Sequence, residues 1–212
     1  MSWINKLLRQ APAVADPPPV SIMALVDHER ESYRSALVKL HAELRSLKRE
    51  VFPEVQIKFG SEDLPEPYRL MRLDAFYKDG ENVGPAEANI NNPWKFTSLS
   101  ENWSGLHVTA YPLVWNSVEF KVSGPIPDHK LVFAWLTKWY DPSDTRLAGA
   151  DGLYNVVHNV TLPEQSADGW NISVDFGSGP LDAFTEFIEL LMSSGASKVE
   201  IGSISYGPAN PA

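Results

Sequence analysis

The apolar positions between residues 21 and 52 repeat with the spacing of a helix that has one hydrophobic side. Successive members are four or three residues apart in alternation, which is the heptad spacing of a coiled-coil seam. The positions are Tyr33, Leu37, Leu40, Leu44 and Leu47. Such a helix either pairs with a second copy of itself, which would make the chain a homodimer, or packs on the sheet that follows it. We expect it to end at Pro53, because proline lacks the N–H that a helix interior needs.

Residues 53–116 show a different pattern, with short alternating stretches separated by polar loops. Apolar residues alternate with polar ones near residues 55–59, 70–76 and 106–110, which predicts strands with one buried face. The sequence Lys-Asp-Gly-Glu at residues 78–81 is typical of a turn. We therefore expect an antiparallel sheet that has one solvated face.

The last third of the chain repeats one unit, a strand followed by Ser-Gly-Pro and a helix. The first unit has Val118, Phe120 and Val122 on one face of its strand, and the second has Ile172 and Val174. Between the units, alternation predicts one further strand, and a last strand precedes the C-terminus. The order of strand, helix, strand, strand, helix and strand is that of ferredoxin-like folds.

These patterns predict an α+β protein with a long N-terminal helix, a mostly antiparallel sheet and a ferredoxin-like βαββαβ part. The prolines at residues 12 and 17–19 favour an extended linker. The predicted divisions are a flexible N-terminal segment with its linker (1–20), the heptad helix (21–52), a strand-rich region with long loops (53–116), the ferredoxin-like domain (117–205) and a tail (206–212).

The charge of the chain changes which partners are expected. The net charge is −9, from 27 acidic and 18 basic residues, so the field of the protein repels nucleic acid and favours a basic protein partner. Cysteine is absent, which excludes disulfides and thiolate metal sites and fits a reducing compartment such as the cytoplasm. No apolar run approaches the roughly 20 residues of a membrane span. The first ten residues are compatible with a short amphipathic hook or with a frayed terminus.

His158 is the histidine of most chemical interest, because it falls on the apolar face of a predicted strand. A buried imidazole with a lowered pKa can act as a base near neutral pH, although a hydrogen-bonded core histidine is the more common case. The segment Gly177-Ser178-Gly179 precedes a helix but lacks the ending of a phosphate-binding loop, so we interpret it as a tight corner. Asp175 lies on the polar face of its strand, where we expect it to be solvated. No motif indicates a cofactor or a metal.

Seven tryptophans are many for 212 residues, and three of them lie in or beside loop-like sequence. We take Trp94, Trp103 and Trp115 as candidate partner-binding residues, because exposed aromatic side chains are typical interface anchors. The alternative is that they hold long loops on the sheet. The function expected from these features is a non-enzymatic interaction protein, such as an inhibitor or immunity-type binder of a basic partner or a small assembly component. The rival expectation is an enzyme or small-molecule binder that uses the sheet face around His158.

Overall fold

The computed structural model describes residues 19–59, 62–88, 90 and 93–203. Most of the N-terminal segment and the tail lie outside this part, as does the last position of the final predicted strand, Ile204. The helices of the described part are α1 (Ile22–Ser46), α2 (His129–Tyr140) and α3 (Leu181–Ser193), with a short 3-10 helix at Glu66–Arg69. The strands are β1 (Glu50–Pro53), β2 (Gln56–Lys58), β3 (Leu70–Arg72), β4 (Ala75–Asp79), β5 (Asn82–Ala86), β6 (Leu99–Trp103), β7 (Leu106–Ala110), β8 (Val118–Ser123), β9 (Asn159–Val160), β10 (Glu164–Ser166), β11 (Gly169–Asp175) and β12 (Lys198–Gly202).

The strands form two sheets, which give the α+β class that the sequence predicts. A small sheet has the order β1-β4-β5, and a nine-stranded sheet has the order β2-β3-β9-β11-β8-β12-β7-β6, with β10 on the side of β11. Neighbouring strands are antiparallel except β7 and β12, which run parallel. The large sheet takes strands from both predicted regions, 53–116 and 117–205, so these regions share one framework.

The core of the large sheet is aromatic. Phe120 of β8 lies 5.0 Å from Phe187 of α3, and the Trp135 ring of α2 lies 4.8 Å from Phe187 (distances between ring centroids). Aromatic pairs at such distances add to the free energy of burial. The opposite positions of β8, Glu119 and Lys121, are not buried. The sheet therefore has one packed face and one polar face.

Helix α1 packs on its own chain. This is one of the two alternatives that the heptad pattern left open, the other being pairing with a second copy. Tyr33, Leu37 and Leu44 are buried in the core, whereas Leu40 is half-buried and Leu47 is exposed. The hydroxyl of Ser21 caps the helix by accepting a hydrogen bond from the N–H of Ala24, as an N-cap serine does.

The end of α1 differs from the prediction, because the helix stops at Ser46 rather than near Pro53. Lys48 has a φ angle of 60° and turns the chain, and Glu50–Pro53 then pairs with β4 as β1. The hydrogen bonds of the small sheet replace those of a longer helix. Likewise, the strand expected over residues 154–162 is reduced to Asn159–Val160.

The packing of α1 generates a test on two leucines of the same seam. Leu37→Ala removes a fully buried side chain and should lower the free energy of unfolding by about 2–5 kcal/mol. Leu47→Ala changes an exposed side chain and should stay within about 0.5 kcal/mol of the native chain. Urea unfolding measures both variants, and sedimentation shows whether either change alters the oligomeric state. A loss at Leu47 accompanied by dissociation would instead indicate that the seam pairs with a second copy.

Candidate functional site

A cluster of ionisable side chains is buried between α1 and the two sheets. We call it the His158 cluster, and its members are Tyr33, Glu54, Asp74, His158 and Asp175. Nε2 of His158 lies 2.9 Å from Oε1 of Glu54. Nδ1 lies 3.2 Å from Oδ1 of Asp74 and 3.9 Å from Oδ2 of Asp175, although neither contact is aligned as a hydrogen bond. The hydroxyl of Tyr33 donates to Oδ1 of Asp74, which ties α1 to the cluster.

Backbone hydrogen bonds hold the charged members of the cluster in place. The N–H of Glu54 donates to the carbonyl of Asp74, and the N–H of His158 donates to the carbonyl of Asp175. Arg72 is also buried, and its guanidinium donates to the carbonyls of Glu54, Tyr140 and Asp141. A guanidinium has five N–H donors in a rigid plane, so it can satisfy several carbonyls at once. Arg72 of β3 therefore connects the chain after β1 to the end of α2, beside the His158 cluster.

The segment Gly177-Ser178-Gly179 forms the wall beside the imidazole. Gly177 has a φ angle of 51°, and a Cβ atom there would lie 2.1 Å from Cδ2 of His158. The N–H of Gly177 donates to Oδ1 of Asp175, and Oγ of Ser178 accepts from the N–H of Val156. The first glycine of the predicted tight corner therefore allows the backbone to lie against the ring of His158.

The electrostatics of the cluster keep the imidazole charged. Burial alone would lower the pKa of His158, but the negative charge of Asp175 and the contacts with Asp74 and Glu54 raise that pKa to about 10. Burial opposes ionisation of Glu54 and Asp74 as well, yet their close contacts with the charged His158 bring the pKa of each carboxyl below its usual value. At neutral pH an imidazolium therefore lies between ionised carboxylates.

The structure favours the hydrogen-bonded core histidine over the base with a lowered pKa, and the expected solvation of Asp175 is wrong. The pKa of His158 is raised rather than lowered, because three carboxyl groups surround an imidazole that has no exposed surface. Asp175 is not simply solvated, since its side chain is only 26% exposed and lies beside the ring. Burial raises the pKa of Asp175 to about 7, against the attraction of His158 and with added repulsion from Asp74.

The members of the cluster other than His158 were not found by motif analysis, because they are distant in sequence. Glu54 and His158 are 104 residues apart, and Tyr33 and Asp74 are 41 apart. A weaker signal is present, since Glu54, Asp74 and Asp175 each stand singly between apolar or proline neighbours. A lone charge inside an apolar run often has a buried partner.

The three candidate tryptophans occupy different environments. Trp115 is fully buried and stacks on Phe176 at 4.5 Å between ring centroids, and its Nε1 donates to the carbonyl of Gly177. Its side chain therefore contributes to the core and supports the wall of the His158 cluster. Trp94 and Trp103 are partly buried and pack at the margin of the core.

Carboxylates hold Trp94 and Trp103 against the first two turns of α1. The backbone N–H of Trp94 donates to Oε1 of Glu29, and Nε1 of Trp103 donates to Oε2 of Glu101. The other oxygen of Glu101 accepts from the N–H of Ile22 at the helix start. Ile22 and Glu29 are about 10 Å apart along the helix. The ring of Trp94 lies 4.4 Å from that of His28, which stands between these two helix positions in the sequence (distance between centroids). We call the region formed by Trp94, Trp103 and the α1 residues 22–31 the tryptophan surface.

The polar face of the large sheet contains a shallow depression of about 420 Å³. Lys121, Asn171, Lys198 and Glu200 line it, together with the hairpin between β10 and β11. His158 lies on the other side of the framework and does not line this depression. Within residues 19–203, apart from the positions that are not described, no group of histidine and acidic side chains is arranged to hold a metal ion.

Comparison with known proteins gives no relative from which a site could be transferred. No family model matches the chain, and no curated protein or solved structure is significantly similar to it. Each helix in the described part of the chain is too short or too polar to cross a bilayer. The functional argument therefore depends on the geometry of the His158 cluster and of the tryptophan surface.

The contact between Gly177 and His158 predicts different costs for two glycine substitutions with similar backbone strain. Gly177→Ala places a methyl group in the imidazole and should lower the free energy of unfolding by at least about 3 kcal/mol. Gly80 has a φ angle of 61° and open space around it, so Gly80→Ala should cost only about 1–2 kcal/mol. Denaturant unfolding separates the two. Equal losses would show that the ring of His158 does not lie against Gly177.

The raised pKa of His158 predicts how stability depends on pH. The folded chain holds a proton that the unfolded chain releases above its ordinary pKa of 6.5. This contribution is complete below pH 6.5 and is lost as the pH rises towards 10, with a slope of at most about 1.4 kcal/mol per pH unit. Urea unfolding between about pH 7 and 9.5 should show the decline.

A pair of histidine variants assigns this slope. His158→Gln leaves buried carboxylates without their cation and should cost about 3–5 kcal/mol near neutral pH, and its stability should then change much less as the pH rises. His129→Gln alters a histidine whose side chain is 60% exposed and should retain the native slope. A native slope in the His158→Gln variant would contradict the assignment.

Proposed function

We propose that this protein is a non-enzymatic interaction protein that binds a basic protein partner, as an inhibitor, an immunity-type protein or a small assembly component would. The observation that carries the proposal is the tryptophan surface, where two partly exposed tryptophans pack beside α1. The ring of Trp94 lies 4.4 Å from that of His28, and Nε1 of Trp103 donates to Glu101. Aromatic side chains that are already immobilised lose little entropy on binding, so they are effective interface anchors.

The negative charge of the chain and of the exposed side of α1 supports a basic partner. Asp27 and Glu31 are exposed on α1, with side-chain exposures of 51% and 59%, and both contact Arg30. Glu101 adds a carboxylate beside Trp103. The whole chain carries a net charge of −9, so a basic partner is attracted at long range.

The rival proposal, chemistry at His158, has less support. A general base must lose its proton near neutral pH and must reach its substrate. The pKa of His158 is raised to about 10, and its side chain has no exposed surface. Its nitrogens already face Glu54, Asp74 and Asp175. The cluster is thus better suited to holding α1 and the sheets together than to acting on a ligand.

We also propose that the C-terminal part is a ferredoxin-like unit. The sheet order β9-β11-β8-β12 supports this, because it places the first and third strands of the unit at the centre and all four strands are antiparallel. The pairing of β7 with β12 extends this unit with strands from the preceding region.

The proposed function is tested by capture from an extract of the source cell on the immobilised full chain. A specific partner should be retained at low salt and should be released at about 1 M salt, where charges are screened within about 3 Å. Trp94→Ala and Trp103→Ala should each weaken its binding roughly thirtyfold, as loss of an aromatic anchor does.

A matched control comes from another partly exposed aromatic side chain. Phe133 on α2 is 39% exposed, and Phe133→Ala should leave partner binding unchanged. Circular dichroism and thermal unfolding establish that all three variants are folded. Equal retention of every protein by the native chain and by folded Trp94→Ala and Trp103→Ala variants would contradict the proposed function.

A further inference from the structure

The β6 strand forms one edge of the large sheet and borders the tryptophan surface. It pairs with β7 alone among the described strands, and no described backbone group bonds to its other side. Trp103 is its last residue, and Glu101 connects it to the start of α1. A strand edge of this kind is a template on which another extended chain can add.

The pairing register identifies the backbone groups that face outward. Trp103 pairs with Leu106 across a two-residue turn, Ser104-Gly105, in which both φ angles are positive. Residues opposite each other in an antiparallel pair alternate between hydrogen-bonded and non-bonded positions. Trp103 and Leu106 flank the turn and form a hydrogen-bonded pair. Glu101 and Leu99, at every second position from Trp103, therefore also form hydrogen bonds with β7.

The alternate residues, Ser100 and Asn102, then direct their N–H and C=O groups away from β7. Both residues are exposed. Their partners in the register are Thr109 and His107. His107 confirms the alternation, because its N–H donates to Ser197 on the opposite side of β7. Four backbone groups of β6 therefore form a regular row that points away from β7 and has no partner among the described backbone groups.

The side chains beside this row indicate the chemistry of the occupant. Leu99 and Trp103 are partly buried on the face towards α1, with Trp94 and Phe96 also at this margin of the core. Apolar side chains of an added strand would pack there at every second position. The chain as a whole is acidic, with a net charge of −9, and Glu101 lies on the strand between Leu99 and Trp103.

We propose that β6 binds an extended segment of the partner protein as an additional strand, and that this segment carries lysine or arginine between its apolar residues. The inference rests on the proposed function, because the partner is the one that the tryptophan surface anchors. Backbone hydrogen bonds to Ser100 and Asn102 provide affinity, while the indoles and the negative charge of the chain select the sequence, which is the division of roles in β-strand addition.

The first test is amide hydrogen exchange in the free chain. Ser100 and Asn102 should exchange at least about tenfold faster than Glu101, whose N–H bonds to β7. Equal protection at the three positions would show that the edge is already covered by the chain itself, and this would overturn the proposal.

The second test uses the partner protein captured on the native chain, purified and returned to it. In the complex, the amides of Ser100 and Asn102 should exchange at least about tenfold more slowly than in the free chain, with Glu101 unchanged. Another outcome is that the tryptophan variants weaken partner binding while the amides of Ser100 and Asn102 exchange as fast in the complex as in the free chain. This result would overturn the strand addition but would agree with the proposed function. If no tryptophan-dependent partner is captured, the proposed function fails and the strand addition fails with it.

Two variants at residue 102 isolate the backbone group. Asn102→Pro removes an outward N–H, and proline is tolerated on an edge strand when its missing N–H faces solvent. Asn102→Thr retains the N–H. Both variants remove the Oδ1 atom of Asn102, which accepts a hydrogen bond from the N–H of Gly105. We expect partner binding to weaken at least about fivefold more in the proline variant. Equal binding by the two folded variants would overturn the proposal.

Discussion

The described structure depends on the interaction between the protonated imidazole of His158 and the carboxyl groups around it. The imidazole lies within 4 Å of Glu54, Asp74 and Asp175, and those residues come from the end of β1, the β3–β4 connection and the end of β11. Removing the imidazole leaves the buried carboxylates of Glu54 and Asp74 without a cation, which costs far more than the net energy of an intact pair. The cluster therefore links the two sheets, and through Tyr33 it links them to α1.

This arrangement explains why the seam of α1 is used within the chain. Tyr33 faces Asp74 with its hydroxyl and the core with its ring, while Leu37 and Leu44 continue the same buried stripe. His41 adds a contact between its Nε2 and the carbonyl of Asp74. Ile22 and Glu29 lie on the same buried side of this helix and bond to Glu101 and to the backbone of Trp94. The tryptophan surface is built on that helix, so the internal cluster and the external surface are mechanically connected.

The sequence predicts local elements well where the determinants are local. Asp128 caps α2, Asp141 ends it with a positive φ angle, and Gly195 follows α3 with a φ angle of 91°. The turn at residues 78–81 joins β4 and β5 as predicted. These features depend on the backbone preferences of single residues, so a sequence pattern is sufficient to find them.

Contacts between distant residues were not predictable in the same way. The apolar character of Trp115 is compatible with an interface and with a core, and only the position of Phe176 decides between them. The polar position of Asp175 on its strand indicated solvation, but the neighbouring His158 comes from another part of the chain. The end of α1 was also misplaced, because the pairing of β1 with β4 competes with helix formation and has no local signature.

The central claim is that His158 is a structural cation, and its ring protonation can be measured directly. Nitrogen-15 chemical shifts of the imidazole in the folded native chain report the charge at each pH. The structure predicts an imidazolium at neutral pH that titrates near 10. A His158 ring that is neutral at pH 7 and titrates near the ordinary value of about 6.5 would contradict the account. Such a ring would agree with a catalytic role for this residue.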